Sequence, residues 1–395
     1  MNRLLILFFV CVIDVLGFGI MIPLLPYMGD KFGASPVTIT WILMAYAACQ
    51  FIAAPIWGRL SDRYGRRPIL IMGLLGACVS YIILGFAQTI GWLLVSRVLG
   101  GFMAGNISAA LAYASDISTA ADRAKALGTV GAAIGIGFML GPALGGLLAG
   151  NDVATADFVR PAIVSVVLAL TAIALVLLVL PESRTRQQRD DAHGPGITRL
   201  SPIQLLRTMP GLRNITFAAL AMTTAQGILE SIAALWALKR FGFGPATVGL
   251  MLFSLAFIAV VFQGGLIRVL VPRFGERRLA IAGGGCYLVG LLGIAFAPGI
   301  VLAIIALSIC GVGLGLWQPS ASALASRQSS PSNRGAVMGT FQSSSSLARI
   351  IGPGLSGPVF AAFGTSAPFI LAAGFVLPAM LLLYAGRSVE SPAHS

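Results

Sequence analysis

Charged side chains are scarce in this sequence. Only 10% of its 395 residues are Asp, Glu, Lys or Arg, and just 13 are acidic. Soluble domains carry about 25% charged residues, so a water-soluble fold of this length is excluded. Histidine is nearly absent, with His193 and His394 alone. The five cysteines (Cys11, Cys49, Cys78, Cys286, Cys310) all sit in apolar stretches as small packing residues. Neither set has metal-ligand spacing, so no metal, no cofactor and no catalytic constellation is expected. The sequence has no GxxxxGK[ST] loop, which leaves an ion gradient as the energy source.

What is abundant is apolar length. Hydrophobic residues make up 57% of the chain, and mean hydropathy is +0.92. Apolar runs predict twelve spans at 4–26, 40–59, 68–88, 92–114, 125–149, 160–181, 213–237, 245–268, 279–297, 300–325, 335–362 and 366–385. Each is long enough to cross about 30 Å of hydrocarbon at about 1.5 Å per residue. The first lacks a small-residue cleavage site and reads as a span rather than a removable signal. The formal charge of +13 is a topology signal, not a nucleic-acid one. With the N-terminus inside, 20 of the 26 Lys and Arg fall in cytoplasmic segments, and only Lys31, Arg160, Lys239 and Arg240 face outside. The positive-inside rule then puts both termini in the cytoplasm.

Six spans precede the polar segment 183–212 and six follow it. That segment reads as a cytoplasmic linker between an N-terminal bundle, 1–182, and a C-terminal bundle with a short tail, 213–395. The halves echo each other. "RYGRR" at 63–67 matches "RFGER" at 273–277, and Arg123 and Gly141-Pro142 match Arg334 and Gly352-Pro353. The offsets are 210 and 211 residues, which predicts a duplicated six-helix unit.

The most informative motif is "GRLSDRYGRRP", Gly58 to Pro68, in the turn between spans two and three. Gly58 and Gly65 suit tight backbone geometry or close helix approach. Arg59, Arg63, Arg66 and Arg67 suit anionic headgroups. Asp62 is the odd acid, able to pair locally or to reach a helix N-terminus. This loop resembles the signature of the major facilitator superfamily, which implies an all-α fold of two pseudo-symmetric six-helix bundles. "GFMLGPALGG", with Gly137, Gly141, Pro142, Gly145 and Gly146, resembles the fifth-helix motif of that superfamily's drug:proton antiporters. Read as residues alone, it is a bare packing stripe with a proline bend.

Similarity to tetracycline efflux proteins covers almost the whole chain, through "DVLGFGIMIPLLP" at 14–26, "AYASDIS", "LPES", "AALW" and "SRQ". That subfamily carries further intramembrane aspartates on helices three and nine. Ser80 and the run Gly283 to Gly285 stand in those places here, which counts against tetracycline itself as substrate.

Four ionisable residues lie inside spans: Asp14, Arg97, Glu230 and Arg349. A charge at the bilayer centre costs roughly 2.5–3.5 kcal/mol, which marks all four as functional candidates. Their depths match in pairs, so Asp14–Arg97 and Glu230–Arg349 are expected as intramembrane partners. Asp14 is expected as proton carrier, because a carboxyl whose exposure alternates can load and release a proton; a fixed structural pair is the alternative. The cavity candidates are Gln50, Asn106, Gln226, Trp236, Gln263, Trp317, Gln318 and Gln342. The resemblance places Asp116 and Arg123, with the echo Arg334, in a gate beside Asp62 and Arg66. The overall expectation is a monomeric proton-coupled antiporter of a bacterial inner membrane, exporting a small amphipathic or cationic compound. A metabolite transporter or facilitator, a passive pore and, remotely, an intramembrane enzyme are the alternatives.

Overall fold

The computed structural model describes residues 3–119, 122–183, 201–330 and 333–385. The helices are α1 (Arg3–Met21), α2 (Leu25–Lys31), α3 (Pro36–Tyr64), α4 (Arg66–Gly85), α5 (Ile90–Met103), α6 (Asn106–Asp116), α7 (Arg123–Ala149) and α8 (Val159–Leu178). A short α9 (Pro202–Thr208) then leads into α10 (Pro210–Phe241), α11 (Pro245–Val261), a π-helical turn (Phe262–Leu266) and α12 (Ile267–Phe274). Last come α13 (Glu276–Ala295), α14 (Ile300–Arg327), α15 (Arg334–Phe363) and α16 (Ala367–Ala385). Among the described residues there is no strand.

Among the described residues, eleven stretches are long and apolar enough to cross a membrane, α1–α2, α5–α6 and α11–α12 each counting as one. The one other expected span, 335–362 in α15, has the length at 30 residues. The polar run Gln342 to Ser346 keeps it less apolar than the others. All the expected spans are found as helices, with ends shifted by several residues. Residues 184–200 of the expected linker, and His193 and His394, lie outside the described residues. Its far end is helical: Ser201 and Gln204 form a capping box on α9.

The helices are apolar outside and small-residue inside, as association in lipid requires. On α8, Ile163, Val167, Leu170 and Leu177 point outward while Ala162, Ser165, Ala169, Ala172 and Val176 are buried. Contacts divide the chain into two compact units, Met1–Gly196 with Ala237–Phe253, and Ile197–Trp236 with Ser254–Ser395. The first is built round Leu7, Val10, Leu74, Tyr113, Val130 and Val176. It also takes in the end of α10 and the start of α11. Lys239 pairs with Asp30 at 2.5 Å, the Tyr27 hydroxyl donates to the Phe243 carbonyl at 2.6 Å, and the Thr247 hydroxyl donates to Asn151 Oδ1 at 2.8 Å. In the second, the glycine face of α13 meets α14, with a Cβ on Gly283 only 2.7 Å from the Gly313 carbonyl oxygen.

The duplication is visible in the backbone. Gly65 and Gly275 join α3 to α4 and α12 to α13 at φ 104° and 75°, a region open to glycine. Gly150 and Gly364 end α7 and α15 at φ 88° and 90°. Gly141 packs on Gly19 as Gly352 packs on Gly227.

Candidate functional site

Span four is broken. α5 stops at Met103 and α6 restarts at Asn106, leaving Ala104 and Gly105 between them. Carbonyls beside the break take side-chain donors. Trp57 Nε1 donates to Phe102 O at 2.6 Å, and the Ser108 hydroxyl donates to Gly105 O at 2.8 Å. Gly105 is required there, since a Cβ would sit 2.6 Å from Trp57 Cγ.

The break puts Asn106 against Asp14, whose carboxylate accepts a hydrogen bond from Asn106 Nδ2. Beside them is a cavity of about 10 Å³ lined by Cys11, Asp14, Leu70, Leu74, Asn106 and Ile134 among others. That is at the lower bound for one water, roughly 10–15 Å³. The expected Asp14–Arg97 pair is not formed. Arg97 is buried, with its guanidinium 5.7 Å from the Tyr46 ring centroid and Nη2 3.4 Å from Ser96 Oγ. Equal depth fixes height but not direction round the helix, and Arg97 turns toward α3.

The expected Glu230–Arg349 pair is also absent among the described residues. Glu230 accepts from Gln226 Nε2 at 2.7 Å, one turn back on α10, and Gln226 Oε1 accepts from Gln318 Nε2 at 3.4 Å. Arg349 is exposed. The structure thus joins three expected polar residues, Gln226, Glu230 and Gln318, in one chain. Gln50 is half-buried on α3, while Gln263 and Gln342 are exposed. Trp236 and Trp317 are placed differently from the glutamines. They are 1% and 2% exposed and belong to the core, Trp236 edge-on to Phe369 at 5.4 Å.

The Gly58–Pro68 motif closes on itself. Arg66, 5% exposed, reaches Asp62 Oδ1 at 2.8 Å, Asp116 Oδ2 at 3.0 Å and Ser61 Oγ at 3.0 Å. Of the two partners open to Asp62, the local one is realised. The residue missed in the sequence is Glu182. Its carboxylate accepts from the Arg66 and Arg67 amides at 2.9 and 3.2 Å, capping the start of α4. Arg67 in turn donates to the last carbonyls of α8, Val176 O at 3.2 Å and Leu177 O at 2.5 Å. An acid placed directly after an apolar span, in "LPES", was the available signal. Gly58 is another correction: it lies inside α3, and a Cβ there would meet nothing within 4 Å. Arg63 lies over the Tyr64 ring, and Arg123 and Arg334 open α7 and α15 with exposed side chains.

The second unit carries this motif with its signs exchanged. Glu276 occupies the place of Arg66 and Arg327 that of Asp116, and the two form an ion pair. On α7, Gly137, Gly141 and Gly145 lie against Val15, Gly19 and Ile20 of α1, and Gly146 lies against Pro245. Pro142 continues that face, its carbonyl against Gly249.

The sequence profile of the Major Facilitator Superfamily matches residues 7–353, with a second match over 269–395. The chain belongs to the major facilitator superfamily. It is 32% identical over 348 residues to tetracycline resistance protein, class G, of Vibrio anguillarum, covering 86% of each chain. It is 30% identical over 368 residues to multidrug resistance protein 2 of Bacillus subtilis (strain 168), covering 92% of this chain and 89% of that one. The crystal structure of the human organic anion transporter MFSD10 shares the fold, with a TM-score of 0.73, 24% identity and coverage of 96% and 98%. This superfamily chain is a multi-pass membrane transporter, not an enzyme.

Proposed function

We propose that this transporter is a proton-coupled efflux antiporter that exports a small amphipathic or cationic compound by alternating access. The observation that carries the reading is Asp14, a carboxylate inside span one, hydrogen-bonded to Asn106 beside a water-sized cavity and in no ion pair among the described residues. A carboxylate locked to an arginine would hold its charge through the cycle. One held by a neutral amide can take a proton and give it up at lower cost. The similarity to tetracycline and multidrug resistance proteins supports export of drug-like compounds. Serine at position 80, bonded to the Ser96 carbonyl at 2.9 Å, and glycine at 283–285 favour the multidrug side of that pair. In this reading the chain works as a monomer in a bacterial inner membrane with both termini cytoplasmic. The 1–182 and 213–395 halves are the two bundles of that cycle, and the Asp62–Arg66–Asp116 cluster braces the inner end of the first.

The test uses inside-out vesicles carrying a respiratory pH gradient and a fluorescent pH reporter. Cationic dyes, fluoroquinolones and tetracycline with magnesium are added in turn. The expected result is a partial collapse of the gradient on adding a substrate, absent in Asp14→Asn. No response from folded wild type across the panel would overturn drug efflux and point to a metabolite; a response that survives in Asp14→Asn would remove Asp14 as carrier.

A further inference from the structure

We infer that Asn106 is the positioning residue that sets the pH at which Asp14 takes its proton, and that the break in span four exists to present it. The inference deepens the proton-carrier reading of Asp14 and rests on it.

The orientation of the Asn106 amide follows from the backbone. In a continuous helix the Ile107 N–H would bond to the Met103 carbonyl, four residues back. The break turns that carbonyl to the Gly105 N–H instead, at 2.7 Å. The Ile107 N–H is left to the Asn106 side chain, and donates to Oδ1 at 3.1 Å. With its oxygen held there, the amide can only present Nδ2 to Asp14, which is where the hydrogen bond is found. An N–H donor stabilises the carboxylate more than the neutral acid, so Asn106 opposes proton loading.

The duplicated fold supplies its own control. The residue 211 positions after Asn106 is Trp317, at the same point of the repeat. There α14 runs unbroken from Ile300 to Arg327 and Trp317 fills the core. The six-helix unit is therefore stable without the break. The break serves the half that carries Asp14.

The other groups round Asp14 leave this role to Asn106. Cys11 lies one turn back on α1, and Tyr81 on α4 is within electrostatic reach of both Asp14 and Arg97. Arg97 on α5 turns to Tyr46 on α3. α7 faces the cavity with Ile134, and α8 meets α1 through the Ser165 hydroxyl on the Gly17 carbonyl at 3.0 Å.

The experiment is peptide-resolved labelling of Asp14 by dicyclohexylcarbodiimide, which reacts with protonated carboxyls, in nanodiscs from acidic to alkaline pH. Wild type is compared with Asn106→Leu and with Asn106→Thr, which keeps a donor. Losing one hydrogen bond to a charged group moves the half-labelling pH up by about one unit, a tenfold change in proton affinity. Asn106→Thr stays within a few tenths of wild type. If Asn106→Leu does not fold, Asn106→Ala replaces it with the same expectation. Superimposable curves for wild type and the donor-free variant would overturn the inference, as would equal shifts in the Leu and Thr variants. The carrier reading fails separately: antiport surviving in Asp14→Asn would remove it while leaving a shifted titration intact.

Discussion

Replacing Arg66 by methionine tests whether the motif turn is held by one buried arginine. The guanidinium contacts Asp62, Asp116 and Ser61 at 2.8 to 3.0 Å. The two acids differ in setting: the Asp62 side chain is 53% exposed and that of Asp116 17%. An exposed pair contributes about 0–1 kcal/mol, whereas stripping one partner from a buried pair costs about 3–5 kcal/mol. Arg66→Met should therefore cost about 3 kcal/mol, nearly all of it through Asp116. Asp116→Asn should cost about 2 kcal/mol, and Asp62→Asn about 1 kcal/mol or less. The Arg66–Asp116 double mutant should fall short of the sum by about 1.5–3 kcal/mol, the coupling of one charge-assisted pair. The assay is unfolding in mixed micelles titrated with dodecyl sulfate, followed by tryptophan emission and corroborated by gel filtration. The inverted pair in the second unit adds a stricter arm. Arg66→Glu with Asp116→Arg copies the Glu276–Arg327 arrangement and should recover part of the lost stability. Full recovery is not expected, because Asp62 and Glu182 sit beside position 66, while the second unit has Pro272 in the place of Asp62. Additive single effects, or equal costs for the Asp62 and Asp116 variants, would refute the assignment.

Two glycines should respond in opposite directions in the same titration. Gly105→Ala drives a methyl into Trp57 and should cost about 1–3 kcal/mol, while Gly58→Ala, with open space round its Cβ, should stabilise α3 by up to about 1 kcal/mol. Trp317→Ala should cost about 3–5 kcal/mol as a core truncation and leave the apparent affinity for any substrate found in the vesicle assay unchanged; a large affinity loss with little destabilisation would return Trp317 to the cavity.

The spans were legible because lipid demands an unbroken apolar length with its backbone bonds closed internally. The exception, α15, shows the limit: Gln342 to Ser346 are tolerated in a helix that composition alone ranks below the rest. The glycine stripe of α7 was legible too, since spacing by four fixes one face whatever lies opposite. Partners were harder to read. Asn106 lies 92 residues from Asp14, and nothing in its neighbourhood says that the helix stops there except Gly105. Arg97 was matched to Asp14 by depth, but each residue also turns about 100° round the axis. Height alone cannot decide which neighbour a side chain meets. Glu182 was hidden by its position after the sixth span, where an acid reads as solvated linker.

What the two halves share separates scaffold from site. Glycines recur at the turn before α4 and α13, at the ends of α7 and α15, and where α1 meets α7 and α10 meets α15. At these places backbone geometry leaves no other residue as well suited, so duplication preserves the identity. At the ion pairs geometry asks only for opposite charges, and the signs have exchanged between Arg66–Asp116 and Glu276–Arg327 without loss of the pair. At Asp14 and Asn106 nothing is shared. Aligning α10 on α1 through Gly227 and Gly19 puts Met222 at the place of Asp14, and α14 is whole where span four is broken. A feature the scaffold needs would have to appear twice. Asp14, Asn106 and the broken helix have no counterpart at the matching positions, and the second half carries its own carboxylate and amides, Glu230 with Gln226 and Gln318, with α14 unbroken. That difference supports a role in the transport cycle over one in holding the bundle together.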